Sequence, residues 1–500
     1  MRKELEYLKA QDEKVMRLGN VLALLSWDME TILPEKAIEE RSRQLGLIST
    51  IKHEEATKDE LRRAVEALSG DETLSDADKG LVRTWQRFFR TEANLSSELV
   101  REISEAEAKA HPAWFEARAK NDYSIFAPHL ENLIGISRKV ASSVAPEKKC
   151  YDALLDMYEE GLDMATLDPV FDDLEASTHE LMDKAEGKNP DTSFLREKYD
   201  EKALHDFCLG ISRRMGFDTA RGTTAISAHP FTTSLGPDDV RITTRYTDPS
   251  VFDPISSMVH ETGHALYDSH ANLNPEIRGT SIGQGVSMGV HESQSRFWEN
   301  MMGRSLAFWQ FCYPELQQAV PSLKKVSLDD FYRAVNVIEP SAIRVNADEA
   351  TYNLHIILRY RMEKAIFEEG RSVSELPELW NTLSRKIIRY EVKSDSEGIL
   401  QDSHWAGGMF GYFPTYSLGN LHAAEFLKKM TADLGGAEKV DEILRSGNWS
   451  AITAWQDENI WSHGGIYTPS DLVRRVTGKS LDAAPFKEYL INKYSRIYQL

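Results

Sequence analysis

The stretch "HETGHALYDSH" runs from His260 to His270 and places two histidines four residues apart, with a glutamate directly after the first. Ile255, Met258, Val259, Ala265 and Leu266 recur at helical spacing around it. On such a helix His260 and His264 lie one turn apart, separated by about 40° around the axis, so two imidazoles can reach one ion. Glu261 lies about 100° from His260, outside the line of the two ligands, where a carboxylate can serve as a general base. This is the physical content of the H-E-x-x-H pattern of zinc sites. The competing reading is two histidines on a helix face with an incidental glutamate between them. Only three positions are fixed, and the chain holds 14 histidines.

Upstream, "DDVRITTRYTDPS" alternates Val240, Ile242, Thr244 and Tyr246 with Arg241, Thr243 and Arg245, which predicts a strand. Pro249 closes it. Asp253 is the expected N-cap of the following helix and Pro254 its first residue. A motif that follows a strand and sits on a helix favours the metal reading.

A catalytic zinc takes three protein ligands and leaves a position open. His270 falls at the third-histidine spacing of H-E-x-x-H-x-x-G-x-x-H, but the turn-forming glycine of that pattern is replaced by Tyr267. A bulky residue suits a positive φ poorly. On a continuing helix, His270 lies about 9 Å along the axis from His264 and off its face. A second candidate is in "GQGVSMGVHESQSRFWENM", where Val286, Val290, Phe297 and Met301 mark a helix that places His291, Glu292, Gln294 and Ser295 near a polar side. Glu292 would complete a site of two histidines and one glutamate. Taken alone, it also reads as an ordinary solvated helix residue.

Elsewhere the chain reads as helix. Leu5, Leu8, Val15, Leu18, Leu22 and Leu25 form an amphipathic stripe in the first 26 residues, and "TPSD" from Thr468 opens a helix near the carboxyl end. No linker composition or fixed-period repeat divides the 500 residues, so one large body is expected. The formal charge of -20 argues against a nucleic-acid partner and against an anionic membrane surface. The amino terminus lacks the apolar core of a signal peptide, and its longest nearby apolar run, "VLALL", is too short to span a bilayer. Cys150, Cys208 and Cys312 are odd in number and far apart, which fits a reducing, cytoplasmic setting.

A resemblance supplies the missing context. The chain resembles the thermostable zinc carboxypeptidases of the carboxypeptidase Taq type, themselves related in fold to the angiotensin-converting enzyme and neurolysin group. It does so through "HPF" at His229, "DVRIT" at Asp239, "HETGH", "HESQ" at His291, "IRVNADE" at Ile343 and "GILQDSHW" at Gly398. "SWDMETILP" and "NIWSHGGIYTP" extend it toward both ends. The resemblance implies a mainly α, two-lobed peptidase fold with a deep groove and one small β-sheet near the zinc helix, forming a single catalytic domain over residues 1–500. It implies Zn2+, with Co2+ as a possible substitute, on His260, His264 and Glu292. It also implies a homodimer that releases single residues from peptide carboxyl ends with broad specificity, and poorly when proline is terminal.

An enzyme of that kind must recognise a free carboxylate, which a guanidinium does through paired hydrogen bonds. Arg241 and Arg245 point to one side of the strand. Arg344 and Asp348 are four apart, which would also make an ordinary helical ion pair. The resemblance favours Arg344 for the carboxylate and gives Arg241 a part in building the groove. Hydrolysis needs an oxyanion donor as well. In "QDSHWAGGMFGYFPTYSLGN" the resemblance favours Tyr416 as that donor, with His404 and Tyr412 assisting substrate binding. Glu261 is the expected base, and His291, Asp348 and Glu349 are candidates to orient ligands. The nearest alternative is a neurolysin-like metallo-endopeptidase acting on short peptides, which would need no carboxylate clamp.

Overall fold

The computed structural model describes residues 3–246 and 250–500. Among them are twenty α-helices and one three-stranded sheet, which bears out the mainly α reading. None of the described helices is long and apolar enough to cross a membrane. The chain divides into two units, the first made of Met1–Phe89, Pro190–Val335 and His422–Leu481, the second of Arg90–Asn189, Asn336–Leu421 and Asp482–Leu500.

The first unit holds the sheet. Strands β1 (Gly222–Ile226), β2 (Thr232–Gly236) and β3 (Asp239–Thr244) are ordered β1-β3-β2, with β3 parallel to β1 and antiparallel to β2. Ile242 faces Thr224 on one side and Thr232 on the other. Val240 and Ile242 are buried, as the period-two pattern predicts. Tyr246 lies past the end of the strand, where its hydroxyl meets His205 Nδ1 at 2.8 Å. Pro249, expected to close the strand, lies outside the described residues.

The motif helix spans Phe252–Ala271, so it begins before the predicted cap. Val251 is the N-cap, Ser250 Oγ accepts from the Phe252 amide at 3.2 Å, and Asp253 and Pro254 sit inside the first turn. Both residues still suit their places. A carboxylate favours the positive end of the helix dipole, and a proline there forfeits only an amide that has no helical acceptor.

The second helix of the site is shorter than predicted. It runs Met288–Arg296, capped by Ser287 Oγ, which accepts from the Val290 amide at 3.1 Å. Val286 precedes it, and its amide donates to Tyr267 Oη. Phe297 and Met301 fall in a π-helical turn, Phe297–Met302, that continues from the helix end. Gly263 decides how closely this helix approaches the motif helix. A Cβ on Gly263 would lie 2.5 Å from the Gln294 carbonyl oxygen and 2.7 Å from Ser295 Cα. Gln294 is anchored in turn by Trp461 Nε1 at 2.8 Å and Gln456 Nε2 at 3.1 Å.

In the amino-terminal helix, Lys3–Thr31, the predicted stripe is only partly realised. Leu5, Leu8 and Val15 are buried, whereas Leu18, Leu22 and Leu25 are half-buried. Thr468 caps Pro469–Thr477 as its sequence predicts.

The second unit is built around the helix Tyr352–Phe367, which is buried on every side. Leu354, Ile356, Ile357, Leu358 and Met362 supply apolar surface, but Asn353, His355, Arg359 and Glu363 are buried with them. A helix apolar on all faces belongs in a core, and polar groups placed there require partners.

The crossing at Gly263 yields a direct test. Gly263→Ala would force two backbones apart, and overpacking of this kind costs about 1–3 kcal/mol. The expected result is a lower denaturation midpoint together with weaker metal binding in a competition titration. An unchanged midpoint would contradict the crossing.

Candidate functional site

In the first unit, ligand atoms of His260, His264 and Glu292 all lie within 4.8 Å of one another. Glu292 Oε2 is 3.6 Å from His260 Nε2 and 3.2 Å from His264 Nε2. One turn of the motif helix supplies both imidazoles, and the close second helix supplies the carboxylate.

The outward nitrogens of the two rings are held from behind. His260 Nδ1 meets Glu299 Oε2 at 2.8 Å, and the other oxygen of Glu299 accepts from Ser256 Oγ at 2.8 Å. His264 Nδ1 meets His291 Nδ1 at 2.5 Å, and His291 Nε2 meets Asp268 Oδ1 at 2.9 Å. Each ring is thus oriented with Nε2 toward Glu292, the arrangement by which neighbours fix metal-binding histidines. Arg296 donates to Glu292 Oε1 at 2.7 Å and to Glu299 Oε2 at 3.1 Å. Two imidazole nitrogens and a carboxylate oxygen, with their second atoms already engaged, fit a divalent metal of the zinc type.

Electrostatics point the same way. Burial alone would raise the Glu292 carboxyl, but Arg296 and the two imidazoles hold it well below the usual carboxylate range. Burial and the neighbouring rings push His264 down to about 4. Glu292 and His264 are therefore set to be anionic and neutral, the states in which they bind metal. Against burial, by contrast, the carboxylates of Glu292 and Glu299 raise His260 to about 9, so that a metal there must displace its proton.

Glu261 is buried beside the ligands. Thr232 Oγ1, on β2, lies 2.7 Å from its Oε2 and 2.9 Å from its carbonyl oxygen. Burial raises the Glu261 carboxyl above its ordinary value, the direction that suits a base working near neutral pH. His270 is engaged elsewhere, with Nδ1 2.9 Å from Asp457 Oδ1 and its ring against Trp461. Arg241 also stays in this unit, paired to both Asp239 oxygens at 2.8 and 2.7 Å and laid over the Trp27 ring at 4.6 Å.

In the second unit, Arg344 does not pair with Asp348. The chain forms a short 3₁₀ turn, Arg344–Asn346, instead of the helix that an i, i+4 pair requires. Arg344 Nε and Nη2 both donate to Asp402 Oδ1, at 3.0 and 2.9 Å. Arg359 Nε donates to Asp402 Oδ2 at 2.7 Å. Two guanidiniums sharing one carboxylate leave this trio with one net positive charge.

Around that trio stand the predicted aromatic and imidazole groups. The Arg344 guanidinium lies 4.9 Å from the Tyr416 ring centre, and Tyr416 Oη is 3.2 Å from His404 Nε2. Tyr412 packs against both rings, at 5.5 Å from His404 and 5.4 Å from Tyr416. Burial and the two guanidiniums hold His404 down to about 4 despite Asp402, so its ring is neutral at ordinary pH.

Asp348 and Glu349 do not orient metal ligands. Asp348 accepts from the Glu339, Ala350 and Thr351 amides and from Thr351 Oγ1. Glu349 is consumed by Tyr489, Lys493 and Tyr494. The residues that sequence reasoning missed are Glu299, Asp268, Arg296, Thr232 and Asp402. For three of them a signal existed, Arg296 lying four residues after Glu292. Asp268 lies four residues after His264 and Glu299 seven after Glu292, and on a helix both spacings return to the same face.

Known metallopeptidases match the chain over nearly its whole length. A family described as carboxypeptidase Taq (M32) metallopeptidase matches residues 7–494. Thermostable carboxypeptidase 1 of Thermus thermophilus is 40% identical over 496 residues, covering 96% of each chain. Carboxypeptidase 1 of Bacillus subtilis is 37% identical, covering 98% of this chain and 97% of that one. The crystal structure of an M32 carboxypeptidase from Deinococcus radiodurans superposes with a TM-score of 0.96 at 34% identity, covering all of both chains.

Glu299 offers a test of the support behind His260. Removing a partner of this kind costs about 10–100-fold in metal affinity. Glu299→Ala is expected to weaken metal binding by that factor in a chelator competition, and wild-type affinity would show that the contact does not orient the ligand.

Proposed function

The chain belongs to the carboxypeptidase Taq (M32) metallopeptidase family, and from that premise we propose that it is a zinc-dependent carboxypeptidase releasing single amino acids from peptides with a free carboxyl end. Specificity is broad and terminal proline is handled poorly. The observation that carries the metal chemistry is the convergence of His260, His264 and Glu292 beside the buried carboxylate of Glu261. The net positive trio of Arg344, Arg359 and Asp402 supports an anionic terminus as the recognised group. The functional protein is a cytoplasmic homodimer, each chain a single catalytic domain. Cobalt can replace zinc on the same donors.

A zinc ion on these three residues supplies Lewis acidity, lowering the pKa of water and polarising a carbonyl. The chain's own groups do the rest. Glu261 takes the proton of the attacking water and later delivers it to the leaving amine. Thr232 holds the Glu261 carboxylate from β2, which limits the orientations in which it can accept that proton. Tyr416 donates its phenolic hydrogen to the oxyanion as the carbonyl carbon becomes tetrahedral. The neutral His404 ring, within hydrogen-bond reach of Tyr416 Oη, holds that hydroxyl in place. Arg344 pairs with the terminal carboxylate, Tyr412 lines the binding surface, and Arg241 braces β3 through Asp239 and Trp27.

The test is a mass-spectrometric time course on a peptide and its carboxyl-amidated twin. Products shortened one residue at a time, from the free peptide only, are expected. Internal cleavage of both peptides would instead identify a neurolysin-like endopeptidase. Glu261→Gln is expected to keep its metal while kcat falls by about 10²–10⁴. Near-wild-type turnover in that variant would remove Glu261 from the mechanism.

A further inference from the structure

A fully buried carboxylate in the second unit has no part in the mechanism above. Glu363 lies on the helix Tyr352–Phe367 and accepts three hydrogen bonds. Trp405 Nε1 donates to Oε1 at 2.7 Å, and Tyr151 Oη and the Gly411 amide each donate to Oε2 at 2.8 Å. Trp405 directly follows His404, and Gly411 directly precedes Tyr412. A single carboxylate therefore ties down the immediate neighbours of both groups assigned to substrate binding.

The loop backbone has little room to choose another course. Gly411 has φ +91°, and a Cβ there would lie 2.5 Å from the carbonyl oxygen of Leu154 on the helix Cys150–Tyr158. The same helix supplies Tyr151 to Glu363. It also supplies Tyr158, whose ring meets Tyr412 edge-on at 5.2 Å.

We propose that Glu363 is the positioning residue of the loop His404–Tyr412, holding His404 and Tyr412 in their working places through Trp405 and Gly411. This rests on the reading of His404, Tyr412 and Tyr416 as groups that act on substrate.

The state of the carboxyl matters because every hydrogen-bonding neighbour is a donor. An ionised Glu363 accepts from all three, whereas a protonated one must either give up one of these bonds or turn the Tyr151 hydroxyl around to accept its hydrogen. Burial raises its pKa to about 7, against the lowering effect of Trp405, Gly411, Tyr151 and the Arg359 guanidinium one turn away. Tyr158 is the other titratable group facing it, and burial keeps both tyrosines as phenols. The folded value lies above the ordinary 4.5, so the stability due to this group is complete below that value and is lost as pH rises through about 7. Glu363 thus opposes folding in the ionised form that completes the loop's hydrogen bonds. A purely structural role would favour an apolar residue here.

The experiment compares full-length, metal-loaded wild type, Glu363→Gln, Tyr151→Phe and Tyr416→Phe, measuring kcat against pH and metal content. In the wild type kcat is expected to fall as pH drops through about 7. Glu363→Gln should lose the part of that limb that falls near 7, because an amide does not titrate, and keep only the limb that Glu261 imposes as the base. Its kcat should drop by up to about a hundredfold with metal content unchanged, the scale of a small misplacement of catalytic groups. Tyr151→Phe removes one donor and should move the limb to higher pH, which keeps the test available if the glutamine variant does not fold. A wild-type profile in Glu363→Gln, or an unmoved limb in Tyr151→Phe, while Tyr416→Phe is impaired, would overturn this inference alone. Wild-type kcat in both Tyr416→Phe and Glu363→Gln would overturn the reading of the loop and this inference with it.

Discussion

The absence of a side chain at Gly263 lets two helices meet backbone to backbone, and the candidate metal centre depends on that approach. Only with the Gln294 carbonyl so near the motif helix can Glu292 bring one oxygen to within 3.2 and 3.6 Å of two imidazole nitrogens. The remaining features answer the crowding that follows. Arg296 compensates the buried carboxylates, and the π-helical turn Phe297–Met302 carries Glu299 to the back of His260. Widened turns of this sort inside helices are found frequently at functional sites.

The two units solve the problem of buried charge with opposite signs. In the first, one guanidinium serves the carboxylates of Glu292 and Glu299, so that group is net negative and suited to a divalent cation. In the second, one carboxylate serves the guanidiniums of Arg344 and Arg359, leaving a positive group suited to an anion. Both groups are largely shielded from solvent, where the lower dielectric strengthens such preferences. A metallocarboxypeptidase needs both: a cation site for the chemistry and a cationic site for the terminal carboxylate of its substrate.

Much of this was legible in the sequence because it is local. His260, Glu261 and His264 follow from helical spacing alone, and β3 from the alternation of Val240 and Ile242. Glu292 became legible only through the company of its motif, since nothing local separates a ligand from a solvated helix glutamate. What sequence reasoning lost lies in long-range pairings. The partner of Arg344 is Asp402, 58 positions away, and helical arithmetic offered Asp348 in its place. Glu363 carries no local signal, because its three donors come from two distant segments. The π-helical turn was hidden for a different reason, as its residues carry an ordinary apolar pattern. The helix start moved because Val251, a residue with no capping side chain, stands at the N-cap.

Glu292, brought in by the crossing at Gly263, is the residue proposed to complete the site that the motif helix begins. The most direct test is the metal content of dialysed wild type, Glu292→Ala and His270→Ala by elemental mass spectrometry. Wild type and His270→Ala are expected to retain equal metal while Glu292→Ala loses nearly all of it. Retention by Glu292→Ala together with loss from His270→Ala would contradict that assignment and return the third ligand to the motif helix itself.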